Sequence, residues 1–178
     1  SPKNRRIFRH LTLHSKMAIT FTAVLVLAGA VLIFIFEYGN PLTVGGMSVF
    51  DKIQVSFFQS VTTRTAGFAT VPQENLTNAS AAVSLLLMLI GGSPVGTAGG
   101  MKTVTIAVLI CSAFAMIRNK NSATLFGRRI SEESIKKAVA VVVMFLTICA
   151  TSTVLLMATS NASAIDAVYE TVSATATV

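Results

Sequence analysis

Charge is scarce in this chain: 178 residues carry fourteen Lys and Arg and seven Asp and Glu, 12% in all. With 53% hydrophobic residues and a mean hydropathy of +0.72, the composition is that of an integral membrane protein rather than a soluble domain. Groups that could do chemistry are scarce too. No pair of carboxylates and no nucleophile beside a base stands out, which argues against an enzyme. The two histidines, His10 and His14, stand four residues apart without a third ligand, so no metal centre is expected from them. The two cysteines, Cys111 and Cys149, sit inside apolar runs, where a thiol behaves as a small hydrophobe.

What the chain does have is apolar runs separated by basic clusters. Residues 17–36 carry no charge; about 20 helical residues cross the roughly 30 Å hydrocarbon core. The run is longer than a signal-peptide core and is read as a retained span. Residues 138–158 form a second charge-free run. Residues 79–117 contain one charge, Lys102, and are close to twice the length of one crossing. Their middle, 91–100, holds five glycines and Pro94. A helix, a loop at membrane depth and a second helix are therefore expected, a broken helix whose irregular part must be buried in protein or line a wet cavity.

Five basic residues fall in 1–16 and six in 118–137. Without aromatic interleaving they suggest cytoplasmic anchors beside a lipid bilayer and no nucleic-acid partner. With both clusters cytoplasmic, the chain is multi-pass with its N-terminal segment inside, and Glu37, Asp51 and Glu74 fall outside. The absent initiator Met and an end within an apparent motif suggest a piece of a longer protein.

Two helix-like stretches, 50–63 and 164–174, are too short to span. Each follows an apolar run, starts at a Ser with an Asp three residues on (Ser48 and Asp51, Ser163 and Asp166), and feeds a Thr-rich strip. Superposing Phe57 on Tyr169 brings Thr65 onto Thr177, an offset of 112 residues that also aligns the preceding apolar runs. The expected fold is an all-α integral membrane protein built from span, pore helix, span repeats with re-entrant filter loops. One such repeat covers 17–117, with a filter at 64–68. A second begins at 138–178, with a strip at 175–178 that the resemblance described below makes a partial filter. In the strip 61–68, Gly67 can take dihedrals other residues avoid and backbone carbonyls could replace the water around K+. A plain turn between a re-entrant helix and a span has the same composition.

The strip Val61-Thr62-Thr63-Arg64-Thr65-Ala66-Gly67-Phe68 resembles the membrane subunits of Ktr potassium uptake systems, in the Trk/Ktr/HKT superfamily. So do Gly91-Gly92-Ser93-Pro94 and Thr97-Ala98-Gly99-Gly100-Met101-Lys102-Thr103. The resemblance runs through the whole chain. It implies four non-identical repeats in one polypeptide, of which this chain covers the third and the start of the fourth. It also implies K+ conduction across the plasma (inner) membrane, through filter segments at Arg64, Thr65, Ala66 and Gly67 and at Thr175, Ala176, Thr177 and Val178. The glycine of the fourth segment would follow Val178. It further implies a gate loop containing Gly91, Gly92, Ser93, Pro94, Gly96, Thr97, Gly99, Gly100 and Lys102. A homodimer, a cytosolic ring of nucleotide-binding regulatory subunits, no resident cofactor and a possible Na+ dependence complete what the family implies. The loop 118–137 is then a plausible docking surface.

Lys102 is costly at membrane depth, about 2.5 to 3.5 kcal/mol on insertion scales, so it either faces the pore side or snorkels toward the cytoplasm. The Arg64 side chain would repel K+ if it lay in the ion path, so it is expected behind the filter, bracing the loop. The segment 96–103 lacks the Gly directly before Lys that a phosphate loop needs, because Met101 intervenes. Three rivals to a filter-bearing uptake protein are a pore domain of identical subunits, a carrier with broken helices and a non-transporting membrane scaffold. The dissimilar strips within one chain weigh against the first.

Overall fold

The computed structural model describes residues 11–92, 99–119, 124–125, 128–161 and 163–178. Helix α1, Leu13–Glu37, opens on Thr12, whose hydroxyl accepts from the Ser15 amide. Helix α2, Val49–Thr62, opens on Ser48, whose hydroxyl accepts from the Asp51 amide at 3.2 Å and donates to the Asp51 carboxylate at 2.7 Å. A 3-10 turn, Gln73–Asn75, leads to α3, Asn78–Leu89, and α4 is Thr103–Ile117. Two-residue antiparallel strands, β1 Thr124–Leu125 and β2 Arg128–Arg129, precede α5, Glu132–Thr159, and α6, Ala164–Ala176. Ser163 and Asp166 cap α6 at the same two distances as Ser48 and Asp51 cap α2.

At 1.5 Å per residue, α1 and α5 are long enough to cross a bilayer and α2 and α6, at about 20 Å, are not. Only 11% of the most apolar window of α1, and of α5, is buried. Val24, Leu27, Val31 and Ile35 on α1, and Met144, Ile148, Val154 and Leu155 on α5, are exposed. A soluble protein would bury such helices, and a signal sequence would not explain the second of them, so these faces meet lipid or other membrane helices.

Both long helices begin ahead of the apolar runs at 17–36 and 138–158. The added turns are polar, and capping sustains them: Thr12 for α1, and for α5 Ser131, whose hydroxyl accepts from the Ser134 amide. Glu132 and Glu133 favour the positive end of α5, and Glu133 pairs with Lys137 at 2.7 Å. Helix α6 runs two residues past 174 to Ala176, so Thr175 and Ala176 are helical; the Thr175 hydroxyl donates to the Thr171 carbonyl at 2.6 Å.

Helix α1 packs against α2, α3 and α4, while α5 packs on α4 and α6, and α3 also meets α6. One apolar cluster joins Met17 to Ala107, Val108, Ile130 and Ala138; another joins Met88 to Cys149, Val172 and Ala176. Gly29 lets three helices converge, since a β-carbon there would run into the Ser60 hydroxyl and lie 2.7 Å from a Leu87 methyl. Ser60 donates to the Val26 carbonyl at 2.8 Å, holding the short α2 against the span. At the far end of α1 the Glu37 carboxylate, 1% exposed, accepts from Asn40, Thr43 and both the amide and the hydroxyl of Thr77. These bonds fix the loop after α1 and the start of α3 around one buried charge. Lys52, also buried, donates to the Tyr38 carbonyl at 2.7 Å and sits 4.2 Å from the centre of the Tyr38 ring.

Candidate functional site

The chain leaving α2 curls tightly. The amides of Ala66 and Gly67 both reach the Thr62 carbonyl at 3.1 Å, and the Thr62 hydroxyl accepts from the Phe68 amide and donates to the Phe68 carbonyl. Two residues take left-handed backbone, Thr65 at φ 71° and Gly67 at φ 73°. Glycine adopts this region freely; a β-branched threonine does so only when its surroundings hold it. Among the described residues no hydrogen bond reaches the carbonyls of Arg64, Thr65, Ala66 or Gly67. Unpaired main-chain carbonyls in a compact turn have the oxygen chemistry that a hard cation takes as ligands.

The second strip follows α6. Thr177 is left-handed at φ 58°, matching Thr65 at the 112-residue offset, although the caps Ser48 and Ser163 lie 115 apart. The difference falls at the helix ends: α2 stops three residues before its left-handed threonine, whereas α6 runs directly into its own. The fold brings the two strips together. A β-carbon on Gly67 would lie 2.9 Å from the Val178 carbonyl carbon.

The glycine-rich segment touches both strips. Its two described ends form a neck: the Met101 amide donates to the Leu89 carbonyl, the Thr103 amide to the Gly92 carbonyl, and Ile90 and Met101 form a parallel bridge. Gly100 is left-handed at φ 71°, and Gly91 lies so close to the Gly99 carbonyl that a β-carbon could not fit. The Gly99 amide donates to the Thr177 hydroxyl at 3.2 Å. Ser93, Pro94, Gly96 and Thr97 lie outside the described residues.

The Arg64 side chain is buried and turns toward the neck. It donates to the Thr103 hydroxyl at 2.7 Å, to the Gly91 carbonyl at 3.2 Å and, more weakly, to the Thr22 carbonyl of α1 at 3.4 Å. Lys102 instead is exposed, at the N-cap position of α4. With His14, Arg129 and Lys137 it lines a cavity of about 480 Å³ whose apolar wall includes Met17 and Val108.

A second cavity, of about 550 Å³, adjoins the strips. Gly67 and Val178 lie at its edge, and Glu74, Asp166 and Glu170 give it an acidic lining. Electrostatic focusing by such a lining raises the local concentration of cations. Across it Gln59 and Gln73 exchange hydrogen bonds at 2.7 and 3.3 Å, and the Tyr169 hydroxyl donates to Gln73 at 3.2 Å, joining α2 to α6. Gln59 and Gln73 escape sequence reasoning, because α2 carries polar residues along its length and one more glutamine does not stand out; Thr103 figures there only as the last residue of a motif, without its partners. Among the described residues no three His, Cys, Asp or Glu side chains gather as for a metal ion.

Comparison with known proteins gives the family. A family model described as "TrkH: Cation transport protein" matches residues 3–178. The chain is 39% identical over 176 residues to the Ktr system potassium uptake protein B of Bacillus subtilis (strain 168), covering 99% of this chain and 39% of that protein. It is 35% identical over 174 residues to the protein of the same name from Vibrio alginolyticus, covering 98% of this chain and 38% of that one. It is 34% identical over 153 residues to the potassium/sodium uptake protein NtpJ of Enterococcus hirae, covering 86% of this chain and 34% of that protein. These relatives are transport proteins rather than enzymes, and the chain spans between about a third and two-fifths of their length. The chain belongs to the TrkH family of cation transport proteins.

Proposed function

We propose that the protein to which this chain belongs takes up K+ across the plasma membrane through a filter of backbone carbonyls, to which this chain contributes two of the segments. The observation that carries this reading is the convergence of the two strips, with left-handed Gly67 against Val178 and four successive carbonyls, those of Arg64 to Gly67, free of hydrogen bonds among the described residues. Helices α2 and α6 are the re-entrant pore helices, α3 and α4 are the two parts of a broken helix, and the glycine-rich segment between them is an intramembrane gate. The names of the relatives, potassium uptake and potassium/sodium uptake proteins, support the ion. The remaining oxygens of the ring come from repeats outside this chain. A homodimer on a nucleotide-binding cytosolic ring, with Na+ as an activator, follows from the family resemblance alone.

Orientation rests on charge: the acidic cavity faces outward and the basic one the cytoplasm. Single cysteines at Asn75 and Asn119, in a complete protein otherwise free of cysteine, should label from opposite sides of the membrane. Labelling of both from outside would overturn this topology. The transport proposal itself is tested by reconstituting the complete protein in liposomes. Rapid K+ flux that exceeds Na+ flux is expected. Slow, saturable exchange would point instead to a carrier with its site at the broken helix, and absence of flux to a scaffold.

A further inference from the structure

Arg64 is a buried cation whose hydrogen-bond acceptors among the described residues are all neutral: the Thr22 carbonyl, the Gly91 carbonyl and the Thr103 hydroxyl. Its Nε has no partner among the described residues. A buried charge held without a counter-charge is costly, and beside a cation route it also repels the ion. What a guanidinium provides in exchange is a rigid fork of strong donors able to hold two segments in one register. Here the same terminal nitrogen donates to Thr103 and Gly91, and the Thr103 hydroxyl in turn donates to the Gly91 carbonyl at 2.9 Å. Three groups close into a triangle, directly behind the residue that precedes left-handed Thr65. At the other strip, left-handed Thr177 is bonded through its hydroxyl to Gly99, on the opposite side of the same neck. Each strip is thus tied at or beside its strained threonine to one end of the glycine-rich segment.

We propose that this neck sets the shape of the filter: Arg64 and Thr103 on one side, and Thr177 on the other, are positioning residues that keep the carbonyls of the two strips in their K+-selective arrangement. The proposal rests on the filter reading above. It predicts that a residue whose side chain meets no ion in that reading, Thr103, controls ion discrimination through a hydrogen bond.

The test is the ratio of K+ to Na+ uptake by the complete protein, in cells lacking other K+ transporters, with membrane abundance measured alongside. Thr103→Val keeps the side-chain shape and removes the hydroxyl, and should lower the ratio about fivefold. Thr103→Ser restores the hydroxyl and should restore the ratio. Arg64→Gln should lower it as well, and Arg64→Gln combined with Thr103→Val should lose less than the two single losses together, because both remove the bond from Arg64 to Thr103. If Thr103→Val does not reach the membrane, Thr177→Val provides the parallel measurement at the second strip, with the same expected fall. Abundant Thr103→Val or Thr177→Val protein with the parent ratio would overturn the proposal. So would equal losses in Thr103→Ser and Thr103→Val. A parent protein that does not discriminate K+ from Na+ would overturn the filter reading first, and the positioning role with it.

Discussion

Deleting residues 93–98 and joining Gly92 to Gly99 should raise K+ uptake by the complete protein about tenfold in cells lacking the cytosolic subunit proposed for it, equivalent to about 1.4 kcal/mol off the barrier. The reasoning begins with the neck. Its bonds, Met101 to Leu89 and Thr103 to Gly92, lie outside the deleted stretch, as do the links from Arg64 to Gly91 and from Gly99 to Thr177. Gly91 already touches the Gly99 carbonyl, so a short connection can close the gap while the packed helices stay in place. If the segment is an obstruction beneath the filter, its loss removes a barrier and leaves the filter intact: flux rises and the ratio of K+ to Na+ holds. Uptake measured against membrane abundance decides. Unchanged or lower uptake at normal abundance would mean that the glycine-rich stretch is a passive kink between α3 and α4.

Gly67→Ser should act in the opposite sense, keeping the protein folded while lowering the ratio of K+ to Na+ uptake by about tenfold or more, as moving a carbonyl out of a tight coordination shell would. Two independent features disfavour any side chain there. The φ of 73° places a non-glycine residue in the left-handed region, at about 1 to 2 kcal/mol. A β-carbon would also approach the Val178 carbonyl carbon to 2.9 Å, against backbone that cannot rotate aside as a side chain would. The strain is local, because the helices are held elsewhere, by Ser60 on Val26 and by the Glu37 cluster. Cells lacking other K+ transporters give the ratio directly. An abundant Gly67→Ser protein with parental selectivity would show that Gly67 does not shape the ion path.

How much of this was legible in the sequence depended on the range of the interaction. The two long helices follow from charge-free runs, and the starts of α2 and α6 from Ser and Asp three apart, because both signals are local. The polar first turns of α1 and α5 are less visible, since they depend on capping by Thr12 and Ser131 rather than on hydropathy. The 112-residue repeat is readable at the strips, but the three-residue difference at the caps appears only once the helix ends are known. An arginine behind the strip is foreseeable from ion repulsion; its partners are not, because they lie 27, 39 and 42 positions away. The same holds for Gln73, which meets Tyr169 across 96 positions. Left-handed Thr65 and Thr177 run against the preference of threonine, and only tertiary contacts reveal them.

The spread of Arg64's acceptors along the chain also fixes an order of events during synthesis. A ribosome delivers α1 with Thr22, then α2 with Arg64, well before Thr103 leaves the exit tunnel. Until then the guanidinium lacks its nearest acceptor, and a nascent chain ending ahead of α4 holds a charged side chain without the Thr103 hydroxyl that later receives it. The tie from Arg64 to Thr103 therefore forms only when Thr103 arrives, and the tie at the second strip only when Thr177 meets the Gly99 already in place. The ties between the two strips and the glycine-rich neck are, in this chain, among the last contacts to form.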